Sequence, residues 1–175
     1  MPVSDLNSIV SSIRDEVELF CRMLARYDKT GFEEMPDGKW SAGQNGMHLV
    51  KAIRPVAMAL GLPKFVPLIL FGKANRPSRS FEALEEKYNA KLSAGARASG
   101  PYIPAPVTLA EREKIIAAFN KQKDRLIKKS NRFSEKELDF YLLPHPLLGK
   151  VTLREMLFFT AFHIHHHRVL LEQRG

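Results

Sequence analysis

Four long segments of the chain repeat apolar residues every three or four positions, and this period constrains the fold more than any other feature. The segments cover residues 4–27, 41–60, 108–131 and 152–173. In the first of them, the repeat consists of Leu6, Ile9, Ile13, Val17, Phe20 and Leu24. Such spacing places apolar side chains on one face of a helix. Strand signals are almost absent, so the sequence predicts an all-α fold, a four-helix bundle.

Capping boxes support three of the expected helix starts. Each has a hydroxyl residue followed three positions later by Glu or Gln, which can satisfy two free backbone amides. The pairs are Ser41 with Gln44, Thr108 with Glu111, and Thr152 with Glu155. The second helix also contains Pro55, which removes a backbone hydrogen bond and should kink the helix.

The region between the second and third helices predicts a long crossover connection with short additional helices. Short helices are expected over residues 64–70 and after Ser80, and a further short turn or helix over 134–138. Residues 93–106 are rich in Gly and Pro, which favours a long loop over regular structure. The topology therefore need not be a simple up-down-up-down bundle.

Length and composition exclude several classes of protein. The 175 residues, 45% of them hydrophobic, suit a single domain over residues 1–175. No apolar run approaches the roughly 18–20 residues of a membrane span, and acidic residues interrupt the start where a signal peptide would lie. One cysteine, Cys21, excludes an intrachain disulfide and fits a reducing compartment. We therefore expect a cytoplasmic protein with no membrane partner.

The net charge of +8 is unevenly distributed along the chain. Residues 51–132 contain 17 basic and 6 acidic residues and hold all of the excess. One loop contains three basic residues, Lys73, Arg76 and Arg79, and a second basic cluster lies at the end of the third helix. Such a surface can attract an anionic small substrate or another acidic partner, or it can be a solvated face near a helix C-terminus. No nucleic-acid motif accompanies it, so we do not expect a nucleic-acid partner.

The fourth helical segment carries four histidines within five residues: His163, His165, His166 and His167. His163 and His167 lie about 40° apart on one inward stripe of the helical wheel. His165 lies nearly opposite His163 and should be solvated. His166 lies about 60° to one side of His163 and is the second choice, after His167, for the histidine that pairs with it. Buried imidazoles need a partner, because an unpaired buried polar group costs roughly 2–7 kcal/mol. That partner could be a metal ion, or it could be a backbone carbonyl group as for an ordinary core histidine.

A third candidate ligand, His48, lies one turn after Gln44 in the second helix. One histidine on one helix and a pair on another can form a metal site in a bundle core. Three imidazoles would leave coordination positions open to water or substrate, which favours a catalytic site over a structural one. Gln44 is then a candidate to orient a ligand imidazole or the metal-bound group. His145, between two prolines, is expected to be a surface histidine, and the alternative is a residue that lines the mouth of the site.

Three fragments of the sequence together resemble the DinB-like (DinB/YfiT) superfamily of metalloproteins. They are Trp40-Ser41-x-x-Gln44-x-x-x-His48-Leu49, Pro144-His145-Pro146-Leu147-Leu148-Gly149-Lys150-Val151-Thr152-Leu153-Arg154-Glu155, and His163-x-x-His166-His167. The resemblance implies a four-helix bundle with a three-histidine site, which on this chain consists of His48, His163 and His167. It also implies a divalent ion such as Zn or Ni, and frequently a homodimer.

The resemblance further implies a metal-dependent enzyme, either a transferase that uses low-molecular-weight thiols or a hydrolase. The basic loop of Lys73, Arg76 and Arg79 would steer an anionic small-molecule substrate, and His166 is another candidate to contact it. No carboxylate is evidently placed as a general base, which favours thiol transfer over hydrolysis. The alternative is a non-catalytic, stress-related metal-binding protein whose basic face contacts an anionic partner.

Overall fold

The computed structural model describes residues 5–174, which fold into a bundle of four long helices with shorter elements between them. In chain order the helices are α1 (Leu6–Arg26), α2 (Lys29–Glu33), α3 (Ala42–Ala59), α4 (Phe65–Phe71), α5 (Phe81–Ser93), α6 (Arg112–Ser130), α7 (Glu135–Phe140) and α8 (Leu153–Glu172). Short 3-10 turns cover Pro36–Gly38, Gly100–Tyr102 and Leu109–Glu111. The four-helix bundle predicted from the sequence is therefore confirmed, with α1, α3, α6 and α8 as its long members.

The observed helix ends agree with the sequence-based expectation to within a few residues. All three predicted capping boxes form, at the starts of α3 and α8 and at the turn that leads into α6. Pro55 lies inside α3, and the helix continues through it to Ala59. Helix α2 was not predicted; Asp28 begins it by accepting a hydrogen bond from the backbone amide of Gly31. Ser4, the expected start of the first helix, lies outside the described residues.

A short antiparallel hairpin precedes α8 and is the one sheet among the described residues. Strand β1 (Leu142–His145) pairs with β2 (Gly149–Thr152), and Leu143 lies opposite Val151. Gly149 has φ +74°, a left-handed conformation that suits glycine at the end of the hairpin turn. The prediction of an all-α fold omitted this element, because four-residue strands that include a proline give little signal.

Apolar side chains from all four long helices form one core. The six apolar positions predicted for α1 are all buried, and Phe20 of that helix meets Phe119 of α6 edge to face, with ring centroids 5.8 Å apart. Gly46 lets α3 approach closely, because a Cβ atom there would lie 2.8 Å from a methyl group of Leu24. Among the described helices, none combines the length and the hydropathy needed to cross a bilayer.

The loop that follows α4 is fixed to the beginning of α8 by a buried carboxylate. Glu155 is fully buried and accepts two hydrogen bonds from the Arg76 guanidinium, at 2.6 and 2.9 Å. It also accepts a hydrogen bond from the Arg79 backbone amide at 2.7 Å and one from the Thr152 amide at 3.0 Å. A carboxylate can be buried in this way because charged and neutral donors surround it.

Candidate metal centre

Three buried imidazoles from α3 and α8 converge on one point. The Nε2 atom of His163 lies 3.2 Å from Nε2 of His48 and 3.1 Å from Nε2 of His167. One ligand atom from each of the three residues lies within 4.8 Å of the others. With metal–nitrogen bonds of about 2.0–2.1 Å, tetrahedral ligands are about 3.3 Å apart. The two measured distances are close to that spacing.

The other ring nitrogen of two of these histidines donates to a fixed acceptor. Nδ1–H of His48 donates to the carbonyl oxygen of Tyr102 at 2.8 Å, and Nδ1–H of His167 donates to Oδ1 of Asn45 at 2.7 Å. The Asn45 amide has one orientation, because its Nδ2 donates to the carbonyls of Trp40 and Ser41 at 3.1 and 2.8 Å. In the neutral state, Nε2 of both histidines therefore carries a lone pair.

This arrangement suits a cation. The Nε2 lone pairs of His48 and His167 both face Nε2 of His163, which has at most one proton to offer. One proton cannot make two good linear hydrogen bonds, so in the absence of an ion at least one pair of nitrogen atoms is poorly satisfied. A divalent ion would accept all three lone pairs, and the acceptors behind two of the rings are those that typically orient metal-ligating histidines.

Burial keeps these imidazoles neutral. Burial away from solvent lowers the pKa of His163 and of His167 well below the ordinary value of 6.5, and the neighbouring imidazoles lower it further. Burial also lowers the pKa of His48, although the hydrogen bond to Tyr102 partly opposes this. Neutral imidazole is the form that binds metal ions, so the three rings have the required protonation state at neutral pH.

The three histidines form part of the wall of a cavity of about 930 Å³. The ring of Trp40 lies beside them in the same wall, 4.8 Å from the ring of His48 and stacked on that of His167 at 6.4 Å. On the other side, Phe159 stacks against His163 with ring centroids 5.0 Å apart. The histidines are thus held by aromatic rings on two sides and still border a space that can accept a ligand.

Gln44 does not have the role expected from the sequence. Its Oε1 accepts a hydrogen bond from the backbone amide of Ser41 in the capping box, and its Nε2 donates to the carbonyl of Pro104 at 3.4 Å. The adjacent Asn45 orients a ligand imidazole instead. The capping box could have excluded Gln44 in advance, since its oxygen was already assigned to the backbone of the cap.

The predicted basic rim also needs correction. Arg76 and Arg79 neutralise the buried Glu155, and Lys73 is exposed and pairs through its backbone with Tyr141. Among the described residues, the cations that border the cavity are Lys39, Arg97 and Arg174. Local sequence patterns do not indicate this arrangement, because Glu155, the shared partner of Arg76 and Arg79, lies more than 70 positions away.

The remaining histidines occupy three different environments. His165 is exposed and pairs with Glu16, as expected for a residue on the outer face. His166 is half-buried and lines the cavity, outside the three-histidine cluster. His145 also lines the cavity, so the favoured expectation of a surface histidine was wrong, and the alternative of a residue at the mouth of the site agrees with the structure. Its Nδ1 accepts hydrogen bonds from the amides of Leu147 and Leu148, both at 3.1 Å, and burial lowers its pKa to about 4.

Fold and site together define a helical bundle with a candidate metal centre at the wall of a large cavity. The chain belongs to the DinB superfamily, whose family profile matches residues 10–171. Among solved structures, it is similar to TT2238, described as a four-helix bundle protein, with a TM-score of 0.61 and 13% sequence identity. That match covers 97% of this chain and 99% of the other. No curated protein matches the chain.

Proposed function

We propose that the chain is a metal-dependent enzyme that binds a divalent ion, Zn or Ni, through Nε2 of His48, His163 and His167. The observation that carries the proposal is the convergence of three neutral imidazoles at the wall of a large cavity. Three protein ligands leave coordination positions open, as in catalytic sites. When bound, the ion would supply Lewis acidity and lower the pKa of a coordinated thiol or water.

The residues around the centre support transfer of a small thiol more than hydrolysis. Among the described residues no Asp or Glu borders the cavity, so proton transfer falls to a neutral side chain such as His166, whose pKa is lowered by burial. The thiol proton would pass to that imidazole while sulfur forms a bond to an electrophilic carbon. The leaving group would depart with the electron pair of the bond that breaks. Tyr88, whose pKa burial raises to about 12, stays protonated and can donate a hydrogen bond to a bound anion.

The first experiment is elemental analysis of protein purified without an affinity tag or added metal, followed by titration of the chelator-treated protein with Zn and Ni. Trp40, the one tryptophan of the chain, reports binding through its fluorescence because it lies against His48 and His167. We expect one ion per chain, and we expect His48→Ala to abolish tight binding. His165→Ala is the matched control, since it removes an exposed histidine. Equal metal affinity in the two variants would contradict the proposed site.

The second experiment tests catalysis. Metal-loaded protein is assayed with low-molecular-weight thiols and an electrophilic acceptor, and separately with ester and amide substrates. We expect metal-dependent thiol consumption that His48→Ala removes and His165→Ala leaves unchanged. Stoichiometric metal binding without turnover of any thiol, ester or amide would favour the alternative of a non-catalytic metal-binding protein.

The homodimer is a separate part of the proposal. It is supported by the apolar side chains that α4 exposes outside the cavity wall: Phe65 is 61% exposed and Ile69 76%. Contiguous exposed apolar residues of this kind commonly mark an interaction surface. Light scattering coupled to gel filtration should give twice the mass of the chain, and Ile69→Lys should reduce it to that of the monomer. A monomeric wild-type protein would refute this part alone.

A further inference from the structure

The cavity beside the metal centre has two chemically different ends. The first clue is the direction of the helices. His48 lies in the first half of α3 and meets His163 and His167 in the second half of α8. Beyond the other end of α3, helix α4 contacts strand β1, whose hairpin leads into α8. The two long helices are therefore antiparallel, and the cavity between them extends from the histidines toward the hairpin.

The end away from the histidines is apolar; we call it the apolar arm. The side chains that define it are Ile53, Val56, Ala59, Leu70, Leu143 and Met156. His48 and Ala59 both line the cavity and are eleven residues apart on one helix, which corresponds to about 16 Å along its axis. The cavity is also at the upper end of the range of roughly 300–1,000 Å³ that is usual for ligand sites. A coordinated water or a small thiol fills little of it.

The histidine end is cationic. Lys39 precedes Trp40, Arg174 donates to the Trp40 carbonyl at 3.0 Å, and Arg97 lies in the loop that leads to Tyr102. These are the charged side chains that border the cavity among the described residues, and all three are positive. A negative group at this end would meet favourable charge.

The apolar wall continues to the protein surface. Leu62 and Leu70 both line the cavity, yet they are 40% and 62% exposed. Exposed leucines at the edge of a cavity give an entering apolar group an apolar surface to contact before it reaches the interior. The cavity therefore has an apolar entrance that is separate from its cationic end.

We infer that the ligand of this cavity is an amphipathic anion: a carboxylate or similar head group held by the metal centre and its cations, with an alkyl or arylalkyl body in the apolar arm. The position of the head group rests on the proposed function, whereas the position of the body rests on the shape and lining of the cavity alone. The affinity of a ligand then depends on the sign of the charge on its head group and on the length of its alkyl chain. The inference narrows the substrate to a thiol or acceptor that carries such a body.

The test compares decanoate, butanoate and decyltrimethylammonium, each below its micelle concentration, by titration calorimetry with metal-loaded and with chelator-treated protein. Each added methylene should strengthen binding by roughly two- to fourfold, so decanoate should bind at least about fiftyfold more tightly than butanoate. Decyltrimethylammonium should bind more weakly than decanoate. Equal affinity for butanoate and decanoate, or for the cationic and anionic decyl compounds, would overturn the inference.

Ala59→Phe tests where the body lies. Ala59 is partly buried and lines the arm far from His48, so a phenyl group there occupies the arm and should weaken decanoate binding by about tenfold or more. Metal affinity and butanoate binding should stay unchanged. The matched control is Met58→Phe, which adds an aromatic ring at the adjacent residue, 62% exposed and outside the cavity wall. Decanoate affinity unchanged in Ala59→Phe would overturn the assignment of the arm.

The two proposals fail in different ways. If the protein binds no divalent ion but decanoate binds in a chain-length-dependent way that Ala59→Phe weakens, the proposed enzyme function fails and the apolar arm stands. If metal binds with the expected stoichiometry but chain length has no effect, the inference about the ligand fails and the metal centre stands.

Discussion

The amide of Asn45 holds the imidazole of His167 in a single orientation. Nδ1–H of His167 donates to Oδ1 of Asn45 at 2.7 Å, and the amide cannot flip, because its Nδ2 donates to two backbone carbonyls. The interaction joins α3 to α8 and directs the Nε2 lone pair of His167 toward the other two ligand candidates. A residue outside the ligand set thus determines the tautomer within it.

Asn45→Ala should weaken metal binding by about 10–100-fold, the usual effect of removing a group that orients a metal-ligating histidine. The affinity is measured by competition with a chelator. Gln44→Ala is the matched comparison, since it breaks the capping box of the same helix at a cost of about 1 kcal/mol but leaves His167 oriented. If both variants lower metal affinity equally, the effect comes from fraying of α3 and the role of Asn45 is refuted.

The contrast between Gln44 and Asn45 shows what could be predicted from the sequence. Helical periodicity predicted the four long helices and the inward direction of His163 and His167, because both depend on local spacing. The capping box could have excluded Gln44 locally, but the role of Asn45 depends on a tertiary contact, since its Oδ1 accepts a hydrogen bond from His167, 122 positions away. Local spacing does not determine such contacts.

The same limit explains the misplaced basic rim. A buried carboxylate needs cationic partners, but a glutamate in the first turn of a helix, such as Glu155, is normally exposed, so local spacing does not assign Arg76 and Arg79 to it. The loop after α4 covers Glu155, since Arg76 and Arg79 of that loop contact its carboxylate. A long-range contact that local spacing does not reveal therefore led to an error about which cations border the cavity.

Glu155→Gln should lower the free energy of unfolding by about 2–4 kcal/mol. Gln can still accept the hydrogen bond of the capping box, but it leaves Arg76 and Arg79 without a counter-charge. Because these side chains are 31% and 28% exposed, the loss of stability is smaller than for a fully buried ion pair. For a chain of this size, each 1 kcal/mol corresponds to roughly 2–4 °C in Tm. The exposed Glu82→Gln serves as control. A Tm within 2 °C of wild type, about the shift for 1 kcal/mol, would contradict this account.

The contribution of Glu155 should also disappear in acid. Burial raises the pKa of this carboxyl, but the hydrogen bonds from Arg76 and from the Arg79 and Thr152 amides outweigh burial, so the net pKa is lowered. A lowered carboxyl pKa stabilises the fold above the unfolded value, about 4.3, and the stabilisation is lost as pH falls through the folded value. The Tm difference between wild type and Glu155→Gln should therefore be largest near neutral pH and shrink in acid.

Metal binding should stabilise the fold and depend little on pH near neutrality. A site at a free-ion concentration one hundred times its Kd adds about 2.7 kcal/mol, which a chelator should reverse and His163→Ala should prevent. Because burial lowers the pKa of His163 and of His167, protons should begin to compete only below the ordinary imidazole value of about 6.5. A steep loss of affinity between pH 8 and pH 7, well above that value, would be inconsistent with neutral buried ligands.

The hairpin histidine should make the metal-free protein sensitive to mild acid. In the fold the pKa of His145 is lowered to about 4 by burial, and its Nδ1 accepts two turn amides, whereas in the unfolded chain it is about 6.5. The unfolded state therefore takes up the proton first, and stability contributed by neutral His145 is lost as pH falls from the unfolded toward the folded value. Asn can accept the same amides but does not titrate, so His145→Asn should reduce the slope of Tm against pH in this window, with chelator present throughout. An identical slope in the two proteins would mean that His145 is not protonated differently on unfolding.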